Sequence, residues 1–235
     1  MRGAIQRSEV AFDLADILAS DSWFAALPAE QSQSLLARGQ VHSLRDGAHV
    51  YRIGDPPNGL HVVVEGQVRP VSYPAAGQEL VNMIIKPGRW FGELSVIDGK
   101  ERPHDAITAG AVRLLTVPMA VIAELTAATP DLWRALALLN CAHHRLGMRE
   151  AGRVRALPAL ARLSVFLAGG SSSAPDRPLR ATQDDLARID GVSRQHMNGL
   201  LRRLAGRGLI STGYGGIIVG NRAGLLALVD REELG

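Results

Sequence analysis

From Val41 to Gly88 the chain runs in short stretches rich in valine and isoleucine, such as "HVY", "LHVVVEGQV" and "LVNMII". Glycines at positions 47, 54, 59, 66, 77 and 88 cut them apart. That punctuation predicts strands joined by turns. Many short strands leave many edges, and a barrel or jelly-roll sandwich is the arrangement that closes them. The region upstream has a different period. In "FDLADILASDSWFAALPAEQSQSLLARG", Leu14, Ile17 and Leu18 share one side of a helix, and Leu35 and Leu36 belong to another.

After "VRLLTVP" the helical period returns. Leu132, Leu136, Leu139, His143 and Leu146 recur in steps of 4, 3, 4 and 3, a heptad-like seam on a helix running from Thr129 to about Arg155. A long helix with a narrow apolar stripe implies a homodimer, with a helix packed on its own barrel as the competing reading. His143 in that seam reads as a packed or interfacially hydrogen-bonded side chain. A further helix, "ALPALARLSVFLAGG", ends in glycines, and "SSSAPDRP" follows as a flexible connector to a second domain.

At 235 residues the chain can hold two modest domains. Its apolar fraction of 46% is that of a globular protein, and no apolar run reaches the roughly 18 residues that span a bilayer. The opening "MRGAIQRSEVAFDLADIL" lacks the apolar core of a secretory signal, so a cytoplasmic location is expected. Cys141 is the only cysteine, excluding an internal disulfide and a cluster held by several thiolates of one chain. Charge divides unevenly. Residues 1 to 150 hold 14 Lys and Arg against 16 Asp and Glu, a net −2, and residues 151 to 235 hold 12 against 7, a net +5. A basic C-terminal segment suits a polyanion partner.

The stretch "TQDDLARIDGVSRQHMNGLLRRLAGRGLI" predicts two short helices around a glycine turn. Thr182 and Asp185 resemble a capping box, Gly191 sits at the turn, and Ser193 can cap the second helix. Met197, Leu200, Leu201 and Leu204 fall on one side of that helix, leaving Gln195, Asn198 and Arg202 on the other. An apolar back with a polar, long-armed, basic front is what a helix needs to enter a major groove of double-stranded DNA. The following "LISTGYGGIIVGN" supplies a Gly-Tyr-Gly-Gly turn between two β-prone runs, a wing. A solvated helical hairpin is the alternative.

With these motifs in place, the chain resembles the family of cyclic AMP receptor protein and the fumarate and nitrate reduction regulator (CRP/FNR). The match runs through "GDPPNGLHVVVEGQV", "FGELSV", "TPDLW" and "GVSRQHMNGLLRRL". The resemblance implies an α+β architecture. Residues 1–128 form a cyclic-nucleotide-binding-like β-roll (jelly roll), 129–156 a dimerisation helix, and 157–235 a winged helix-turn-helix. It implies a transcription regulator, not an enzyme, with RNA polymerase as a partner and no membrane association. It puts base reading on Arg194, Gln195 and Gly199 and a phosphate contact on Ser193. Where well-known members have glutamate and arginine, this chain has Gln195 and Gly199, so its operator should differ. Thr182, Arg202 and Arg203 are candidate backbone contacts.

The resemblance also implies an effector cradle built from Gly92, Glu93, Leu94 and Ser95. Glu93 supplies the carboxylate for a ribose hydroxyl, and the turn from Glu93 to Ser95 supplies N–H donors for an anion. Counting back from Ala109, the family's phosphate arginine falls on Pro103 and the residue after it on His104. Arg102 is one residue away, which on a strand sends its side chain to the opposite face unless a bulge intervenes. The positions that would touch an adenine ring fall near Gly147 and Met148. The expectation is that cyclic AMP binds weakly or not at all; if a small anion is the effector instead, Glu93, Arg102 and His104 surround it, with His104 titrating near neutrality. Seven scattered histidines show no metal-ligand spacing, leaving a heme or metal sensor as a lesser reading. A ligand-binding roll whose helical tail serves protein interaction is the competing class.

Overall fold

The computed structural model describes residues 17, 18, 20–74, 79–170, 179, 181–213 and 216–230. The chain divides into two units, Met1–Ala76 with Asn82–His144, and Gly77–Val81 with Arg145–Gly235. Leu14, the connector 171–178, and Tyr214 and Gly215 of the wing turn lie outside the described residues.

The elements run α1 (Ser22–Ala25), α2 (Ala29–Arg38), β1 (Gln40–Leu44), β2 (His49–Tyr51), β3 (Gly59–Ser72), β4 (Leu80–Val81), β5 (Trp90–Phe91), α3 (Glu93–Asp98), β6 (Asp105–Pro118), α4 (Met119–Ala128) and α5 (Asp131–Ala156). They continue with α6 (Ala159–Gly170), α7 (Gln183–Asp190), α8 (Arg194–Gly206), β7 (Ile210–Gly213), β8 (Gly216–Val219) and α9 (Arg222–Asp230).

In the first unit the long strands β3 and β6 pair antiparallel, with β1 and β2 against β6 and β5 against β3. Leu60, Val62 and Val64 of β3 turn toward Trp90, Val96, Leu115 and Val117, while Val63 and Val68 turn toward Tyr51, Phe91, Val112 and Leu114. Both faces are covered, which is why "VVV" (residues 62–64) puts apolar residues at consecutive positions and does not alternate. Gly66, at φ 83°, sits where the β3–β6 register shifts, and a Cβ there would come within 2.4 Å of the Ala111 carbonyl oxygen. Only glycine allows that close passage.

The helix seam packs differently from the expectation. Leu132, Leu136 and Leu139 are all but fully buried in the core of their own unit, with Trp23, Phe24 and Trp90. Phe24 stacks on Trp90 at 5.4 Å, and the Trp23 indole donates to the Ala135 carbonyl at 2.6 Å. Burying each such leucine contributes about 1.5 to 3 kcal/mol, so this stripe fastens α5 to the roll instead of to a second chain. A helical period shows that a face is buried without showing what buries it. Leu146, the last seam position, is half-buried. The apolar residues α5 leaves in solvent include Trp133, Leu138, Cys141, Met148 and Val154.

In the second unit α6 buries Leu160, Leu163 and Leu167, α7 buries Leu186, and α8 buries Met197, Leu200, Leu201 and Leu204. β7 and β8 pair antiparallel from Ile210–Val219 to Gly213–Gly216, forming the two arms of the wing.

Candidate DNA-reading face and effector cradle

The helix-turn-helix is built from local signals. Thr182 Oγ1 accepts from the Asp185 N–H at 3.0 Å while the Asp185 carboxylate accepts from the Thr182 N–H at 3.0 Å, a complete capping box at the start of α7. Gly191 closes α7 in the left-handed conformation, φ 68°. Ser193 then caps α8, its Oγ accepting from the His196 N–H at 3.2 Å. Each device satisfies backbone groups that a helix end would otherwise leave unpaired.

The four buried residues of α8 leave Arg194, Gln195, Gly199, Arg202 and Arg203 exposed, with Asn198 half-buried at their edge. The sequence-predicted reading residues therefore share one face. Exposed His196 stands in the same first turn, and the only sequence signal for it is its place three residues after the cap. Ser193 is exposed and accepts that one bond through its Oγ. Thr182 lends both its hydroxyl and its N–H to Asp185, so any phosphate contact it makes shares the cap. No Cβ added at Gly199 meets anything within 4 Å, so the gap there is a chemical absence and not a packing requirement.

In the cradle, the first unit departs from the sequence reading. Pro103 is exposed, and Arg102 is the inward side chain, 2% exposed. Residues 101–104 precede β6, so the alternation that would turn Arg102 outward does not operate there. The Arg102 N–H donates to the Asp55 carbonyl at 2.8 Å, and its own carbonyl accepts from the Gly54 N–H at 2.9 Å. This pairing with the β2–β3 turn aims the guanidinium inward.

Arg102 Nη1 donates to the Gly92 carbonyl at 2.7 Å, and Nη2 donates to the Gly59 carbonyl at 2.6 Å and to Asn58 Oδ1 at 2.7 Å. The guanidinium also lies 4.2 Å above the Tyr51 ring, a cation–π contact. Its Nε is buried without a partner among the described residues. Gly92, at φ 88°, caps α3, and a Cβ on it would stand 2.9 Å from Arg102 Nη1. The left-handed backbone is the first reason for glycine here, and close approach of the arginine adds to it.

Glu93 is buried at 5% exposure and accepts from His143 Nδ1 at 2.8 Å. His143 reaches the cradle from α5. Burial opposes its charge, but the Glu93 hydrogen bond and charge, aided by Asp21, outweigh burial and Arg89 and raise its pKa above the ordinary value. His104 goes the other way: burial, with Arg102 adding to it, lowers its pKa, so the expected titration near neutrality is corrected downward. Its Nδ1 contacts the Asp105 carbonyl at 3.0 Å. Of the remaining cradle residues, Ser95 is buried with its hydroxyl donating to the Glu101 carbonyl at 3.3 Å, and Leu94 is 44% exposed.

Sequence reading missed Tyr51, Asn58 and His61. His61 is fully buried, with Nδ1 3.0 Å from Thr116 Oγ1 and Nε2 3.1 Å from Asn58 Oδ1. Burial first, then the Arg102 charge, push its pKa down to about 3, so it stands neutral beside the arginine. The only signal for it was a histidine inside an apolar strand. Among the described residues no group of three or more His, Cys, Asp or Glu is placed to hold a metal ion, and no helix is long and apolar enough to cross a membrane.

A roll carrying a cyclic-nucleotide-type cradle, joined through a long helix to a winged helix-turn-helix, defines a DNA-binding transcription regulator. Residues 41–129 match the pattern of a cyclic nucleotide-binding domain and residues 155–228 that of a Crp-like helix-turn-helix domain. The transcriptional regulator SdrP of Thermus thermophilus is 30% identical over 190 residues, covering 77% of this chain and 88% of its own. The cyclic AMP receptor protein of the same organism is 28% identical, covering 83% and 91%. The crystal structure of TTHA1359, a CRP/FNR-family regulator from Thermus thermophilus, superposes with a TM-score of 0.66 at 26% identity, over 83% of this chain and all of its own. The protein belongs to the CRP/FNR family of transcription regulators.

Proposed function

We propose that this chain acts as a cytoplasmic homodimer that binds a near-palindromic operator, contacts RNA polymerase, and responds to an effector other than cyclic AMP. One observation carries the effector part of this reading. Both groups a cyclic nucleotide would use are engaged by the chain itself, Arg102 by Gly92, Gly59 and Asn58, and Glu93 by His143. The incoming nucleotide would have to displace His143 and draw a buried cation away from three acceptors. Gly147 and Met148 offer no side-chain hydroxyl or amide for a base.

The reason differs from the one the sequence suggested, because the cradle does hold a cation. A second reading gains from that same arginine: one relative is named a cyclic AMP receptor protein, and a cyclic phosphate could take the unpartnered Nε of Arg102. Calorimetric titration of the full-length protein with cyclic AMP and cyclic GMP separates the two. No heat of binding is expected for either nucleotide. Micromolar binding of cyclic AMP that disappears in Glu93→Ala would establish the second reading.

For the dimer, the exposed residues Leu138, Cys141 and Met148 of α5 fall in steps of 3 and 7, a stripe that suits a second copy. Leu138→Glu should sediment as a folded monomer whose melt no longer depends on protein concentration, whereas Leu139→Glu should unfold the first unit. A dimeric Leu138→Glu protein would move the interface elsewhere. DNA binding itself is checked by its steep fall with salt.

A further inference from the structure

We propose that Arg162 is a positioning residue for DNA binding: it locks the turn that leads into the recognition helix to the end of the long helix. This rests on the reading of the chain as a dimeric operator-binding regulator. Arg162 lies in the first turns of α6 and makes four hydrogen bonds in two directions. Toward the helix-turn-helix, its Nε donates to Asp190 Oδ1 at 2.7 Å, and its Nη2 donates to Asp190 Oδ2 at 3.0 Å and to the Asp190 carbonyl at 3.0 Å. Toward the long helix, its Nη1 donates to the Leu157 carbonyl at 2.9 Å.

The two ends of this clamp are the points where direction is set. Leu157 directly follows Ala156, the last residue of α5. Asp190 is the last residue of α7, followed by the left-handed turn at Gly191 and then by Ser193, the cap of α8. The guanidinium plane and the Asp190 carboxylate form a two-pronged pair whose geometry is more directional than apolar packing. Side-chain exposures of 16% and 8% keep water from competing for it.

Stability does not account for the clamp. α6 already buries Leu160, Leu163 and Leu167, and a buried ion pair is often matched or bettered by apolar side chains of similar volume. What the two-pronged pair adds to apolar packing is a directional tie between two particular backbone points. A dimer that reads two half-sites about one helical turn apart needs that tie, because any looseness between α5 and α8 becomes looseness in half-site spacing.

The test uses the full-length protein and an operator selected from random DNA, rebuilt with its spacer lengthened or shortened by one and two base pairs, beside a single half-site. The double variant Arg162→Met/Asp190→Leu replaces the pair with apolar side chains and should melt close to the wild type. Wild-type affinity should fall about tenfold or more on altered spacers, and the double variant should fall less than about threefold, while its half-site affinity stays within about twofold of wild type. If the double variant does not fold, Asp190→Asn, which keeps the shape and removes the charge, is put to the same comparison. A variant that keeps the wild-type spacing dependence overturns the proposal. Equal losses on half-site and palindrome together with a lowered melt assign Arg162 to stability and overturn it as well. Failure of the wild type to bind any DNA overturns the regulator reading instead.

Discussion

The recognition helix and the cradle both carry charged side chains, and they use those side chains in opposite ways. On α8, Arg194, Gln195, Arg202 and Arg203 stand in solvent and face away from their own unit. In the cradle, Arg102 and Glu93 are buried and bonded to their own chain. A surface that must read an outside polyanion keeps its charges unspent and hydrated until contact, since burying a charge without a partner is costly. The interior of the roll cannot do this, so it supplies partners from Gly59, Asn58, Gly92 and His143. The two regions should therefore respond to mutation in different measurements, stability for the cradle and affinity for the helix.

Arg102→Ala tests the contrast most severely. It leaves the Gly92 and Gly59 carbonyls without their donor, and the first unit should lose about 2 to 4 kcal/mol by chemical denaturation. A melt unchanged from the wild type would show that the cradle holds its arginine as loosely as α8 does. Next comes Arg194→Ala, which should lose about 1 to 3 kcal/mol of operator affinity and relax the preference at one guanine, with stability intact. Arg202→Ala should weaken operator and scrambled DNA alike; an equal loss on both for Arg194→Ala removes that residue from base reading.

A smaller effect of opposite sign is expected at Gly199. Its Cβ would meet open space, and an interior helical glycine is less favourable than alanine, so Gly199→Ala should stabilise the second unit by about 0.5 to 1 kcal/mol. Operator preference should not change. The smallest effect is the pH response of the tie between His143 and Glu93. The folded-state pKa of His143 is raised, so the stability it adds is fully present below the ordinary histidine value near 6.5 and is lost as pH rises through the folded value. His143→Gln should flatten the stability profile across that window. A mutant profile that parallels the wild type would place the titration on another group.

Legibility followed the distance between interacting residues. The capping box of Thr182 and Asp185, the Gly191 turn and the Ser193 cap each involve residues at most three or four apart, and each stands in the structure as the residues suggested. The cradle depends on contacts across the chain, with Arg102 meeting Asn58 from 44 residues away and Glu93 meeting His143 from 50. Parity along a presumed strand misplaced Arg102, because residues 101–104 are held by the Gly54–Asp55 turn before β6 begins.

The helix stripe is the intermediate case. Its steps of 4 and 3 required that Leu132, Leu136 and Leu139 be buried, and they are, since a row of leucines on one side of a helix has no other stable environment in water. Whether the roll or a second chain covers them is invisible in the spacing. Helical period, capping and glycine turns act between near neighbours and so are written along the chain. The partner of a buried face and the direction of a buried charge are set when distant segments pack, and there the roll closed over the leucines and drew Arg102 inward.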